Sequence, residues 1–319
     1  MKLRGIDFGC VLDASGTEGF FGEGYPYQKV LGINFSGATF VAKTMTLRPR
    51  AGNMRMRRDG SLFWWPLKPD CMVVKLWKGA AFNAVGLSNP GAEALLAQGQ
   101  WQKREESFFL SFMAVGDTRE ERMKELNGFV RILSLVKKSF HALFGLQINL
   151  SCPNVGLRPE ILVEEAITVL TATSILDIPL MLKFNILLPV EAALKISKHP
   201  ACDALCVSNV IPWGALPDQI DWCGIFGSIE SPLKKYGGGG LSGAPLLPLV
   251  KRWVRSARFA GITKPINAGG GILHPRDVDT FFKAGADSVF IGSVSFLRPW
   301  RVRAIIKRAR QIYGYNQPK

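Results

Sequence analysis

The sequence predicts an α/β fold, a (β/α)8 TIM barrel with loop insertions at the C-terminal mouth. Three observations predict it. From about residue 105 onward, short β-prone apolar runs alternate with longer segments of helical period, the pattern of a parallel sheet wound with helices. Eight strand candidates can be found, the number that closes one barrel. Polar and glycine-rich residues collect at the ends of those candidates, where a barrel builds its site. The chain has 319 residues and 47% hydrophobic side chains, enough for one large core, and residues 1–319 are expected to form a single domain.

In chain order the strand candidates are Gly9 to Ser15, Ala38 to Thr44, Phe108 to Ala114, Leu146 to Leu150, Pro179 to Phe184, Ala204 to Ser208, Pro265 to Gly269 and Ser288 to Gly292. Helices are expected near Thr118 to Lys138, Pro159 to Thr173, Pro189 to Lys198, Pro245 to Ala260, Pro275 to Ala284 and Pro299 to Ile312. Several of these windows open at a proline, whose missing N–H costs little in a first helical turn. Two connections are unusually long, Leu47 to Phe82 and Val210 to Ala244. Loops of that length either bind something or form small elements of their own, and both follow strands, which puts them at the mouth.

Composition narrows the chemistry. Six scattered cysteines without a C-x-x-C pair suggest neither a disulfide framework nor a metal cluster, and three histidines without H-x-x-x-H spacing suggest no histidine-rich metal site. No metal is expected. No apolar run approaches the roughly 18 residues of a membrane span, and the N-terminus lacks the order of a signal peptide, so a cytoplasmic protein without a membrane is the reading. Forty basic against 25 acidic residues give a formal charge of +15, a field that favours anionic ligands. The basic cluster from Arg298 to Arg310 reads as the solvated face of a last helix, and nucleic acid is not the expected ligand.

The strand-end residues carry the functional argument. Gly269-Gly270-Gly271 and Gly292-Ser293 follow the seventh and eighth strands, where many barrels hold a phosphate on backbone N–H groups; tight βα turns are the plainer reading, and sugar-phosphate enzymes use the same place. Lys183 sits within the apolar run LMLKFN, and Lys43 ends ATFVAK. A desolvated ammonium needs an anion or good acceptors, and a reduced flavin ring would serve; the alternative is a lysine that snorkels out of the mouth. Cys152, inside INLSCPN, could take a proton from a carbon acid as a thiolate, or be a small core side chain.

The segment NLSCPN, from Asn149 to Asn154, resembles the signature of the dihydroorotate dehydrogenases. Five other segments agree in order: ASG from Ala14, KTMTLRPRAGN from Lys43, NAVGLSNPG from Asn83, GGLSG from Gly239, and NAGGGI from Asn267 with IGS from Ile291. The resemblance covers almost the whole chain, and the motifs are specific in combination. It implies FMN above the barrel with a dihydropyrimidine against its face, and oxidation of (S)-dihydroorotate to orotate in de novo pyrimidine biosynthesis.

Carried over by position, the resemblance assigns Lys43, Thr44, Asn149, Lys183 and Ser208 to the flavin, with Ala14, Ser15 and Gly16 flanking it. Gly243, Gly270, Gly271, Gly292 and Ser293 would hold its phosphate. Lys43, Asn83, Gly86, Leu87, Asn149, Asn154 and Asn209 would grip the substrate. Cys152 would take the C5 proton as the C6 hydride passes to flavin N5. A cysteine there is similar to class 1 enzymes, which implies a homodimer, and TLRPRAGN and NAVGLSNPG resemble the type that works with an iron–sulfur and FAD electron-transfer subunit. Val210 stands where the family usually has serine or threonine, and Asn185 where proline is common, which opens a second reading: oxidation of another dihydropyrimidine. Further alternatives are a tRNA dihydrouridine synthase-like enzyme and a non-catalytic barrel, the latter suggested by a basic loop with Trp64 and Trp65.

Overall fold

The computed structural model describes residues 1–57, 59–60, 69–150 and 159–314. The chain opens with a two-stranded hairpin, β1 (Lys2–Leu3) and β2 (Ile6–Asp7), before the first barrel strand β3 (Val11–Asp13) and a short helix α1 (Pro26–Val30). An antiparallel pair follows, β4 (Met72–Lys75) and β5 (Ala80–Asn83), then α2 (Ala92–Ala97). Alternation begins with β6 (Phe108–Phe112), α3 (Arg119–Val136), β7 (Phe144–Asn149), α4 (Pro159–Ser174), β8 (Leu180–Phe184), α5 (Val190–Ser197) and β9 (Ala204–Val207). The second insertion holds β10 (Ile211–Pro212), α6 (Trp222–Phe226) and β11 (Gly240–Gly243). The chain then runs α7 (Leu247–Phe259), β12 (Ile266–Ala268), α8 (Pro275–Ala284), β13 (Ser288–Ile291), α9 (Val294–Leu297) and α10 (Val302–Ile312).

Seven of these strands form one parallel sheet in the order β3-β13-β12-β9-β8-β7-β6. The expected second strand, Ala38 to Thr44, closes the ring without becoming a regular ladder. It is bridged in parallel to β3 at Leu12–Thr39 and to β6 at Val41–Phe109 and Met45–Phe112. The reason is local: Val41 N–H is taken by the carboxylate Oδ1 of Asp13, and Lys43 N–H by the Gly19 carbonyl at 2.9 Å, so two of its amides leave the ladder. The fold is a (β/α)8 barrel with one irregular stave.

The strands are short apolar runs buried on both faces, as a parallel sheet covered by helices requires. Two apolar clusters result. The larger lies between the sheet and the helices, while a smaller one of Leu12, Val41, Phe109, Met181, Cys206 and Phe290 fills the barrel. Met1, Leu3 and Phe8 belong to the inner cluster, so the N-terminal hairpin plugs the floor. Successive helices α3, α4, α5, α7, α8 and α10 pack side by side around the outside.

Helix starts follow local chemistry. Thr118 caps α3 in a reciprocal box with Glu121, and Asp277 returns to the backbone of His274 before α8. Pro189 is the cap of α5 rather than its first residue, and the windows expected from Pro245 and Pro299 begin as 3-10 turns, Ala244–Leu246 and Pro299–Arg301. On α10, Val302, Ile305, Ile306 and Ala309 are buried and Arg303 and Lys307 exposed, the solvated basic face expected. The two long connections form elements and join each other: β10, β11, β5 and β4 make a four-stranded antiparallel sheet in that order, with Gly240 opposite Asn83.

Candidate active site

A cavity of about 2040 Å³ opens at the C-terminal ends of the parallel strands, roofed by the four-stranded sheet. It gathers every expected site residue that the structure describes. Ala14, Ser15 and Gly16 reach it from the end of β3, Lys43 and Thr44 from the irregular stave, and Asn149 from β7. Lys183 comes from β8, Ser208 and Asn209 from the turn after β9. Gly243, Gly270 and Gly271, and Gly292 and Ser293 come from three later turns, and Asn83, Gly86 and Leu87 from the roof. Cys152 and Asn154 lie outside the described residues, as do Trp64 and Trp65.

Both lysines are buried against the cavity. Lys183 is 6% exposed, its amine 5.2 Å from the Phe290 ring centroid. Burial lowers its pKa, opposed by Cys206 and Asp13, and its amine makes no ion pair or hydrogen bond among the described residues. Lys43 donates to the Ser88 carbonyl and lies 4.9 Å from the Phe20 centroid. Its pKa falls from 10.5 to about 8 because of burial, with Glu23 pulling the other way. A lysine this dry beside an open cavity holds an unused preference for an anion.

The glycine turns leave room for backbone and nothing else. Gly243 has φ +104°, and a Cβ there would overlap the Gly79 carbonyl oxygen. Gly271 has φ +87°, and its Cβ would stand 2.8 Å from the Gly243 carbonyl oxygen. These two turns therefore meet. They do so where the Ala244–Leu246 turn leads into α7, which brings the Gly243 backbone and the Gly270–Gly271 turn side by side at the cavity. A Cβ at Gly292 would stand 2.7 Å from Ala14 Cβ, which ties the last turn to the first. This cradle suits a phosphate.

The substrate side is built differently. Leu87 has φ +57°, a left-handed conformation that a leucine adopts only under constraint, and Arg50 holds the same loop by donating from Nε to the Gly86 carbonyl at 2.9 Å. Val210 N–H donates to Asn209 Oδ1 at 3.0 Å, and a Cβ at Gly240 would collide with the Val210 side chain. Val210 lines the cavity, so an apolar surface stands where the sequence comparison expected a hydroxyl. Asn185 also lines it, with Oδ1 accepting from Leu187 N–H at 3.1 Å.

Behind the Ala14–Gly16 turn lies a buried acid. Asp13 is 1% exposed, and burial, with the Glu18 carboxyl beside it and hydrogen-bonded to it, pushes its pKa well above the usual range. Arg104 acts in the opposite direction. Sequence reading missed this residue and also Ser111, whose hydroxyl lies 2.9 Å from Thr44 Oγ1. A signal existed for Ser111: in the apolar run FFLSF it takes the same face as Phe109, the face that fills the barrel.

An FMN-type group fits this donor set. Asn149 Oδ1 is buried without a described partner, the Lys183 amine lacks a counter-ion among the described residues, and Gly243, Gly270, Gly271 and Gly292 line the cavity with backbone alone. Among the described residues no group of three or more His, Cys, Asp or Glu could hold a metal ion, and no helix is long and apolar enough to cross a membrane.

Comparison with known proteins agrees with that chemistry. The family model for dihydroorotate dehydrogenase matches residues 1–312. The catalytic subunit of dihydroorotate dehydrogenase B (NAD(+)) from Caldicellulosiruptor saccharolyticus is 31% identical over 323 residues, covering 97% of this chain and 92% of that protein. The corresponding subunit from Anoxybacillus flavithermus is 29% identical, covering 91% and 82%. Among solved structures, dihydroorotate dehydrogenase from Eimeria tenella in complex with ferulenol superposes with a TM-score of 0.66 at 18% identity, covering 98% of this chain and 84% of that one, which supports the fold. The chain thus belongs to the dihydroorotate dehydrogenase family, FMN-dependent oxidoreductases that convert dihydroorotate to orotate in pyrimidine biosynthesis.

Proposed function

We propose that this chain, acting as one domain in the cytoplasm, binds FMN in the glycine cradle and oxidises (S)-dihydroorotate with Cys152 as the base. The observation that carries the proposal is the meeting, in one cavity, of Lys183 without a described counter-ion, Asn149 Oδ1 without a described donor, and glycine turns that line it with backbone alone. Gly243, Gly270, Gly271, Gly292 and Ser293 hold the phosphate, and Ala14, Ser15, Gly16, Thr44 and Ser208 flank the ring. Lys183 and Lys43 offset negative charge on it. FMN, when bound, supplies the acceptor for the C6 hydride.

Asn83, Gly86, Leu87, Asn149, Asn154 and Asn209 hold the substrate from the roof and the strand ends, and Cys152 removes the C5 proton. The relatives named as catalytic subunits of an NAD(+)-type enzyme support a further subunit as partner, and the family resemblance extends this to an electron-transfer subunit with iron–sulfur and FAD groups joined to a homodimer of this chain. Val210 supports a second reading, a dihydropyrimidine without the polar group that a hydroxyl at that position would hold.

Anaerobic titration decides between them. Dihydroorotate bleaches the yellow holoenzyme under the first reading, whereas bleaching by another dihydropyrimidine alone supports the second. Cys152→Ala retains the flavin and slows its reduction by about 10²–10⁴-fold, a range typical of losing a positioned base; reduction at the wild-type rate removes Cys152 from that role.

A further inference from the structure

Four polar side chains on neighbouring staves form one cluster centred on Thr44. Thr44 Oγ1 lies 2.8 Å from Asn149 Nδ2, 2.7 Å from Ser15 Oγ and 2.9 Å from Ser111 Oγ, and Ser15 Oγ lies 2.9 Å from the Ala42 carbonyl oxygen. Ser15 follows β3, Thr44 belongs to the irregular stave, Ser111 to β6 and Asn149 to β7, so the cluster crosses the closure of the barrel. Thr44, Ser111 and Asn149 are buried.

The proton count fixes the direction of every bond. Four contacts require four protons, and the three hydroxyls supply only three. The fourth has to come from the Asn149 amide. Ser15 then donates to the Ala42 carbonyl, Thr44 donates to Ser15, and both Ser111 and Asn149 Nδ2 donate to Thr44. A reversed amide would leave three hydroxyl protons for four contacts, so one pair of oxygens 2.7–2.9 Å apart would have no proton between them. Asn149 Oδ1 is therefore turned away from Thr44, and it is the atom that lacks a described partner in a residue lining the cavity.

We propose that Thr44, held by Ser15 and Ser111, is a positioning residue that locks the Asn149 amide with its oxygen reserved for a ring N–H of a bound ligand. Taking that N–H from the dihydropyrimidine rests on the functional reading above; the orientation of the amide does not. A ligand presenting an acceptor at this point meets an oxygen that cannot rotate away without breaking the Thr44 bond. The buried hydroxyl cluster thus turns a two-way amide into a one-way acceptor.

The test uses holoenzyme labelled with ¹⁵N-asparagine, with the Asn149 side-chain signal identified by its loss in Asn149→Asp. In wild type the Asn149 NH₂ exchanges slowly and orotate perturbs it. With FMN held at saturation, Thr44→Val loses that protection by about tenfold or more and binds orotate about tenfold more weakly, the scale expected for one mispaired buried group. Thr44→Ser, which restores the hydroxyl, recovers both. Unchanged protection in Thr44→Val, or Thr44→Ser failing as badly as Thr44→Val, overturns the proposal. Should orotate not bind wild type at all, the functional reading fails while the amide protection still decides the orientation.

Discussion

The mouth and the floor of the barrel treat their polar groups in opposite ways. On the floor, inward-facing polar residues satisfy one another in a chain. Gln147 Nε2 donates to Cys206 Sγ and Cys206 to Asn267 Oδ1, both at 3.7 Å; Asn267 Nδ2 donates to Ser288 Oγ at 2.7 Å, and Ser288 to Met1 Sδ at 3.3 Å. Gln147 Oε1 alone is left over. At the mouth the Thr44 cluster is likewise paired, but beside it stand Lys183 without a described acceptor, an amide oxygen without a described donor and a dry Lys43 held by the Ser88 carbonyl. The same barrel interior is finished at one end and left open at the other. Unpaired polarity that costs stability persists where a ligand offsets it.

Three substitutions sharpen or break this contrast. Gly243→Ala should do the most damage, because its Cβ overlaps the Gly79 carbonyl and its φ of +104° suits no other residue. We expect a stability loss of about 3 kcal/mol and FMN affinity reduced by roughly a hundredfold, read by thermal melting and fluorescence titration. A variant that binds FMN normally would remove the cradle from the account.

Lys43→Met tests the cost of dryness. The folded amine titrates near 8 against an ordinary 10.5, so between those values the unfolded chain binds more protons and wild-type stability rises with pH. FMN-free Lys43→Met should therefore be more stable than wild type at pH 7 by about 3 kcal/mol, order of magnitude, with the gap closing above pH about 10.5. Urea melts at the two pH values measure it. A pH-independent gap would mean that packing, not desolvation, sets the difference.

Ser288→Ala is the smallest change and belongs to the floor. It strips Asn267 Nδ2 of its 2.7 Å acceptor and should cost about 1 kcal/mol in denaturant melts. FMN affinity and the rate of flavin reduction should stay at wild-type values, and a change in either would show that floor and mouth are coupled.

Much of this was legible in the chain itself. Seven of the eight strand candidates fall on the strands of one parallel sheet because runs such as FFLSF and LMLKF are apolar on both faces, which no solvated strand would be. Lys183 was conspicuous for the same reason. The stave from Ala38 to Thr44 read as a strand and became an irregular closure, since the carboxylate that captures its Val41 amide arrives from β3, far away in sequence.

The sequence by itself determined the strand–helix order, the polar residues at the strand ends and the family motifs, because each depends on short-range periodicity or on spacing within one turn. Only the tertiary structure decided that the two long insertions pair into one roof, that Ser111 shares a hydroxyl cluster with Ser15, Thr44 and Asn149, and that Asp13 is buried beside Glu18. The first two come from contacts between segments tens of residues apart, and the third from the barrel closing over Asp13. Their energetics depend on burial and on the count of donors and acceptors at one point in space, which no single segment carries.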